Sequence, residues 1–223
     1  MHHFNSREVS MQVSKILHAR TPRQTEYVRL LRSKNTPIVV AHGPAGCGKT
    51  MLATMVGIEE FEQGNVKRLV FSRPAVCSDE QHGFLPGDIE EKMSPWVRPI
   101  VDIMRERWSE KEIKKFTTDG RIEFAPLAFM RGRTFHDAWV VCDEAQNCTS
   151  NQVLMVLTRI GEGSKIVLTG DLEQHDQRIE NGLSDLVRRL KRSPGDISLV
   201  AFDAKDVQRH PIVPKILALY RDE

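Results

Sequence analysis

Short, almost uninterrupted apolar runs recur along the chain, and segments with helical periodicity lie between several of them. The first run is Pro37 to Ala41, and its continuous pattern is typical of a parallel strand buried on both faces. Similar runs predict four further strands, at 69–71, 138–142, 166–168 and 197–202. The alternation of the two patterns predicts a mostly parallel sheet flanked by helices, which is the α/β class.

Polar residues indicate where several helices begin. Thr21 followed by Pro22 predicts a helix start, since Thr is a favoured N-cap and Pro suits the first helical position. Ser109-Glu-Lys-Glu112 and Thr149-Ser-Asn-Gln152 have the spacing of capping boxes. These signals place helices before the first strand and between later ones.

The pattern changes between residues 74 and 126, where a glycine- and proline-containing loop precedes an amphipathic stretch at 96–108. Pro95 and Pro99 are expected to break that stretch. We therefore predict a largely helical insertion at about 74–126 in a single domain that covers residues 1–223.

The segment GPAGCGKT directly follows the first predicted strand and precedes a helical pattern, as a phosphate-binding loop requires. Glycines let backbone N–H groups surround phosphate oxygens, and the following helix presents its positive end to the same anion. The Lys49 ammonium is predicted to reach the β and γ phosphates, and the Thr50 hydroxyl to bind Mg²⁺. The predicted nucleotide contacts of this loop are Gly43, Pro44, Ala45, Gly46, Cys47, Gly48, Lys49 and Thr50.

Two acids follow the predicted strand at 138–142. Asp143 is predicted to hold Mg²⁺, and Glu144 to polarise the water that attacks the γ-phosphate. In isolation the same pair is compatible with a strand end capped by two solvated acids. The upstream phosphate loop favours the catalytic interpretation, and a Glu after the Asp favours hydrolysis.

A third strand ends in Thr169-Gly-Asp171, and Gln174 follows it. Polar residues at this end of an open α/β sheet are predicted to lie near the ligand. Asp171 and Gln174 are therefore candidate contacts to the nucleotide, although T-G-D alone is only a turn signal. The chain has no N-K-x-D element for guanine, so ATP is the expected nucleotide.

Composition restricts the remaining function classes. The 32 Lys and Arg residues against 30 Asp and Glu give a net charge of +2, so any polyanion affinity requires a local patch. Candidate basic patches are Lys111–Lys115, Arg131–Arg133 and Arg188–Arg192, the last of which is equally compatible with a solvated helix face. No run of about 18 apolar residues and no apolar N-terminal stretch is present, which predicts a cytoplasmic protein without a membrane partner.

Together these motifs resemble the PhoH family, and the resemblance extends from Thr21 onward. They are GPAGCGKT, GFLPGD at 83–88, RGRT at 131–134, DEAQN at 143–147 and TGD with Gln174. The resemblance implies a RecA-like P-loop ATPase domain, similar to one half of a superfamily-one helicase, with RNA-related activity. It also implies that Gln24 reads the adenine edge; an exposed helix glutamine is the alternative. Cys47 and Asn181 depart from the family's usual Thr and Ser.

A single RecA-like domain usually needs an arginine to neutralise charge that develops on the γ-phosphate. The candidates are Arg131, Arg133 and Arg209, acting either in trans from a neighbouring subunit or, for the segment around Arg209, in cis. The family resemblance implies a homo-oligomer, with a hexamer favoured. Surface ion pairs are the alternative for each arginine.

The leading hypothesis is Mg²⁺-dependent ATP hydrolysis coupled to binding or remodelling of single-stranded RNA or DNA. A P-loop kinase is a second possibility, with the insertion at 74–126 supplying an acceptor pocket. A third is a nucleotide-dependent protein-interaction module with slow turnover.

Overall fold

The computed structural model describes residues 17–74, 89–174, 181–193, 195–209 and 212–213, with side chains in all of these except 89–95. The GFLPGD motif at 83–88 lies outside the described residues.

Helices and strands alternate along the described part of the chain. The α-helices are α1 (Pro22–Arg32), α2 (Lys49–Glu62), α3 (Ile89–Met104), α4 (Glu110–Thr118), α5 (Ser150–Leu157) and α6 (Gly182–Arg192). The strands are β1 (Ile38–His42), β2 (Arg68–Arg73), β3 (Ile122–Pro126), β4 (Ala138–Cys142), β5 (Lys165–Gly170) and β6 (Ile197–Ala201). Short 3₁₀ turns lie at Leu127–Met130, Ala145–Asn147 and Ala204–Asp206.

The six strands of the described residues are parallel and lie in the order β3-β2-β4-β5-β1-β6. The predicted α/β fold is therefore confirmed. Strand β5 lies between β1, which precedes the phosphate loop, and β4, which precedes the two acids. Because parallel strands end at the same edge, all three segments that follow these strands meet there.

Alternate residues of each strand face opposite layers of helices. Val39 and Trp139 pack with side chains of α1 to α4, whereas Val40 and Val140 pack with those of α5 and α6. Burial on both faces explains why the central strands read as continuous apolar runs rather than as alternating patterns. The result is a three-layer arrangement in which the sheet edge carries the candidate chemistry.

The segment at 74–126 differs from the expectation in two respects. Helix α3 runs from Ile89 to Met104, so the expectation that Pro95 and Pro99 break the segment is wrong. Ile100 and Met104 are buried in the core and hold the last part of the helix in place. The last residues, Ile122–Pro126, form edge strand β3 on β2, although this strand was not predicted. Glu123 and Pro126 interrupt its apolar pattern, which an edge strand tolerates.

Lys165 fixes helix α1 to the sheet. Its side chain is 8% exposed, and Nζ donates hydrogen bonds to the carbonyls of Leu30, Leu31 and Ser33 at 3.1, 2.5 and 2.8 Å. Burial lowers the pKa of Lys165 to about 8. These carbonyls belong to the C-terminal end of α1, where a cation compensates groups that the helix leaves without partners.

Replacement of Gly57 by Ala tests the packing of α2 on β4. An added Cβ at Gly57 would lie 2.6 Å from Trp139 Cδ1, inside normal contact. Gly to Ala in a helix interior normally stabilises by about 1 kcal/mol, but overpacking costs about 1–3 kcal/mol. The difference is an expected net loss of up to about 2 kcal/mol in the free energy of unfolding, measured by urea denaturation. A gain in stability would contradict the tight contact.

Candidate functional site

The phosphate loop joins β1 to α2 through left-handed glycines. Gly46 and Gly48 have φ values of 88° and 87°, which side chains with a Cβ rarely adopt. An added Cβ at Gly46 would also lie 2.4 Å from Arg209 Nε. The positive φ values explain why glycine is favoured at both positions of the motif.

Lys49 is the first residue of α2, and its ammonium lies against the loop. Nζ donates to the carbonyls of Gly43 and Pro44 at 2.6 and 3.0 Å, and to Cys47 Sγ at 3.6 Å. Lys49 is only 8% exposed, so its charge lies in a restricted environment at the cleft. A phosphate at this position would compete with the carbonyls for the same ammonium.

Asp143 is half-buried and faces the phosphate loop across the cleft. Its Oδ1 accepts hydrogen bonds from Thr50 Oγ1 at 2.8 Å and from Thr169 Oγ1 at 2.5 Å. Thr169 belongs to β5, Thr50 lies in the helix after β1, and Asp143 directly follows β4. One carboxylate oxygen therefore connects three adjacent strands at the same edge of the sheet. These hard oxygen ligands fit Mg²⁺, which binds through few protein oxygens and keeps several waters.

Glu144 follows in a left-handed conformation with φ of 55°. Its Oε2 accepts a hydrogen bond of 2.5 Å from Gln146 Nε2, and its Oε1 lies 3.7 Å from Arg73 Nη2. Non-glycine residues with positive φ are uncommon in proteins, and those that occur are concentrated at functional sites. The strained turn directs Asp143 and Glu144 to different partners at the same edge of the sheet.

These groups line a cleft of about 250 Å³ at the carboxyl ends of β1, β4 and β5. The lining residues are Ala45, Gly46, Gly48, Lys49, Thr50, Met51, Asp143, Glu144, Gly170, Asp171 and Gln174. The structure therefore brings together the sequence-predicted loop, acids and third-strand residues at one site.

Three predicted loop residues do not line this cleft. Gly43 and Pro44 lie behind it and present their carbonyls to Lys49, while the Cys47 side chain is fully buried in the core. Burial raises the pKa of the Cys47 thiol. A side chain that points into the core explains how this position accepts Cys without altering the loop backbone.

Gln24 is buried below the phosphate loop, with an exposed fraction of 2%. Its Nε2 donates to the Cys47 carbonyl at 3.0 Å, and its Oε1 accepts from Arg20 N–H at 2.7 Å. The alternative of an exposed helix glutamine is therefore wrong. The adenine contact stays a prediction, while the observed amide supports the loop backbone.

The three candidate arginines occupy different surroundings. The Arg209 side chain lies against Gly46 of its own chain, and the neighbouring Gln208 N–H donates to the Gly46 carbonyl at 2.9 Å. Arg133 forms a double hydrogen bond with Glu123 on edge strand β3, at 2.5 and 2.8 Å, and does not line the cleft of its own chain. Arg131 is exposed. Arg209 alone among the three contacts the phosphate loop in cis.

Sequence reasoning missed three residues at the cleft. Met51 and Gly170 line it, and Gln146 binds Glu144 from behind. Gly170 and Gln146 were visible as members of the TGD and DEAQN motifs, but their contacts depend on tertiary structure. Met51 carries no motif signal beyond its place in the first turn of α2.

His42 ends β1 next to the phosphate loop. Its Nε2 is buried and has no hydrogen-bond partner in the described part of the chain. Burial lowers the pKa of His42, and the positive charges of Lys191 and Lys49 lower it further, while Asp171 acts in the opposite direction. The folded protein therefore favours neutral His42.

This shift predicts a pH dependence of stability. Since the pKa of His42 in the folded state lies below the unfolded value of about 6.5, the unfolded state binds more protons as the pH falls through that value. Stability should decrease from about pH 7 to about pH 5, and His42→Gln should reduce this slope in urea denaturation. His18→Gln, at an exposed histidine, is the matched control. Equal slopes for wild type and His42→Gln would contradict the prediction.

Within the described ranges, no helix combines the length and apolar character needed to cross a membrane.

Comparison with known proteins identifies the family. The family model described as PhoH-like protein matches residues 16–221. A PhoH-like protein of Bacillus subtilis is 42% identical over 208 residues, covering 92% of this chain and 64% of the relative. Protein PhoH of Escherichia coli K12 is 37% identical over 215 residues, covering 95% of this chain and 60% of that protein. This chain thus spans less than two thirds of the length of these relatives. The family match, the parallel fold and the phosphate-loop cleft agree, and the chain belongs to the PhoH-like family of P-loop nucleotide-binding proteins.

Proposed function

We propose that this protein hydrolyses ATP in a Mg²⁺-dependent reaction that is coupled to binding or remodelling of single-stranded RNA or DNA. The observation that carries the proposal is the hydrogen bond between Thr50 and Asp143 across strand β5, beside Lys49 and Glu144. A hydroxyl, a carboxylate, an ammonium and a second carboxylate at one cleft are the groups that phosphoryl transfer to water requires.

The residues of the cleft divide the chemistry between them. Lys49 binds the β and γ phosphates, and Thr50 and Asp143 hold Mg²⁺. Mg²⁺, when bound, neutralises phosphate charge and orients the phosphates. Glu144 orients the attacking water and accepts its proton, and Gln174 contacts the γ-phosphate or that water. Asp171 supports the nucleotide from the end of β5, and Gln24 supports the loop and reads adenine.

Arg209 is the candidate arginine finger in cis. Its side chain already lies against the phosphate loop, which favours Arg209 over Arg133 within one chain. The ion pair of Arg133 with Glu123 must open before Arg133 can reach a nucleotide. In an oligomer, Arg131 and Arg133 are the candidates for action in trans.

The exposed face of α6 is the favoured surface for nucleic acid. Arg188, Arg189, Lys191 and Arg192 are all exposed there. Arg189 and Arg188 form hydrogen bonds with Asp185 and lower the pKa of its carboxyl to about 2. A phosphate backbone would compete with Asp185 for these two arginines, while charges on the exposed face would track the polyanion.

Helix α6 is attached directly to the segment that follows the two acids. Gly182 N–H donates to the Cys148 carbonyl at 2.7 Å, and Ser150 Oγ donates to Asp185 at 3.2 Å. These contacts support a coupling between polyanion binding on α6 and the geometry of the cleft. Helix α4, which carries the cluster Lys111–Lys115, packs on the face of the sheet opposite to α6. It is therefore the less favoured surface for nucleic acid.

We further propose a cytoplasmic homo-oligomer, with a hexamer favoured by family. Cys47, Cys142 and Cys148 are buried free thiols, which supports a reducing compartment. Light scattering of the purified chain tests the oligomeric state.

Steady-state ATP hydrolysis with and without single-stranded RNA tests the function. Stimulation of turnover by RNA is the expected result. Phosphate transfer to an added acceptor would favour the kinase alternative instead. Slow turnover that nucleic acid does not change would favour the interaction module.

A further inference from the structure

Gln146 is a buried side chain whose amide makes three hydrogen bonds, two as donor and one as acceptor. It is 1% exposed, and its Nε2 donates to Glu144 Oε2 at 2.5 Å and to the Gln174 carbonyl at 3.0 Å. Its Oε1 accepts from Asp171 N–H at 3.0 Å. One amide therefore joins Glu144 to the loop that follows β5.

The backbone is shaped to allow this contact. The left-handed conformation of Glu144 begins a 3₁₀ turn that brings its carboxylate to the amide two residues later. At Gly170 an added Cβ would lie 2.6 Å from Gln146 Oε1, so any larger residue would displace the amide. The small size of Gly170 and the left-handed turn at Glu144 together fix where the Gln146 amide lies.

We propose that Gln146 is the positioning residue that couples Glu144 to the loop at 171–174, an inference that rests on the proposed ATP hydrolysis. The amide donates to one Glu144 oxygen and limits the directions in which the carboxylate accepts a proton. The same NH₂ group binds the Gln174 backbone, so a shift of Gln174 toward a γ-phosphate changes the constraint on Glu144. The orientation of the Glu144 carboxylate thus depends on whether Gln174 contacts a γ-phosphate.

Gln146→Met tests the role of the amide, since Met has similar length and lacks both donors and the carbonyl oxygen. We expect kcat for ATP hydrolysis to fall about 10–100-fold, as for loss of a group that orients a catalytic residue. Nucleotide affinity, measured with a fluorescent ATP analogue, should change less than about threefold, because phosphate binding uses other residues. Gln63→Met, at the exposed C-cap of α2, is the matched control and should leave both values unchanged.

Gln146→Glu separates positioning from packing. The new side chain keeps an acceptor for Asp171 N–H but places a second carboxylate against Glu144. A carboxylate at this position cannot donate to Glu144, so kcat should fall about 10–100-fold while nucleotide affinity changes less than about threefold, as in Gln146→Met. A purely structural role would lower the amount of folded protein without lowering kcat per folded molecule. This variant also serves if Gln146→Met fails to fold.

The outcomes distinguish this inference from the function on which it rests. If the wild type hydrolyses ATP and folded Gln146 variants have unchanged kcat, the inference is overturned and ATP hydrolysis stands. An equal loss of nucleotide affinity and kcat would also overturn it, because it would indicate general damage to the cleft. Absence of hydrolysis by the wild type would refute the proposed function and the inference with it.

Discussion

Replacement of Glu144 by Gln is expected to lower kcat for ATP hydrolysis by about 10²–10⁴-fold while nucleotide affinity is retained. The change removes the proton acceptor from the cleft but preserves side-chain size and leaves Lys49, Thr50 and Asp143 in place. These three residues carry the proposed contacts to phosphate and Mg²⁺. Single-turnover and steady-state hydrolysis, together with binding of a fluorescent ATP analogue, measure the two effects separately.

Glu162→Gln provides the matched control, since Glu162 is exposed and the chemical change is identical. This variant should behave as the wild type in both assays. Retention of kcat in Glu144→Gln would remove Glu144 from the reaction and would point to Gln174 or another group as the residue that orients water.

The second large effect is expected for Lys49→Ala, which should weaken ATP binding. The Lys49 ammonium is held in the loop by the carbonyls of Gly43 and Pro44, so it is already positioned for a phosphate oxygen. Hydrogen bonds to charged groups contribute about 1.5–3 kcal/mol, which corresponds to about a 10–100-fold rise in Kd. Titration calorimetry with a slowly hydrolysed ATP analogue measures this change.

Lys67→Ala is the control for loss of one positive charge. Lys67 directly precedes β2, at the end of the sheet opposite to the cleft, and its exposed ammonium pairs with Asp137. Its removal should leave the Kd for ATP unchanged. The comparison of Lys49→Ala with Glu144→Gln is the sharper test, because an equal loss of binding in the two variants would contradict the proposed division between phosphate binding and water activation.

Much of this fold was predictable because its strands are buried on both faces. Burial requires continuous apolar sequence, and the run at 138–142 coincides with β4 at both ends. The capping boxes at Ser109 and Thr149 were equally predictable, since both are local hydrogen-bond patterns that the structure reproduces. Strand β3 was missed because an edge strand buries only part of its surface, and Glu123 and Pro126 disguise it.

In the candidate site too, features set by neighbouring residues were predictable and contacts between distant residues were not. The phosphate loop and the acid pair are each specified by residues adjacent in sequence, so both were predictable. Gln146 was not, because its three partners come from Glu144, Gln174 and Asp171, and two of these lie beyond another strand. The cis approach of Arg209 to Gly46 likewise joins residues more than 160 positions apart.

The sequence by itself determined the buried central strands, the capped helix starts, the phosphate loop and the two acids that follow a strand. Local backbone preferences and solvent exclusion act over a few residues, so they leave a record in the order of amino acids. Tertiary structure alone decided that β5 lies between β1 and β4, and thus that Thr169 and Thr50 share Asp143. Strand order depends on the packing of all layers together, and residues distant in sequence are neighbours only in the packed structure.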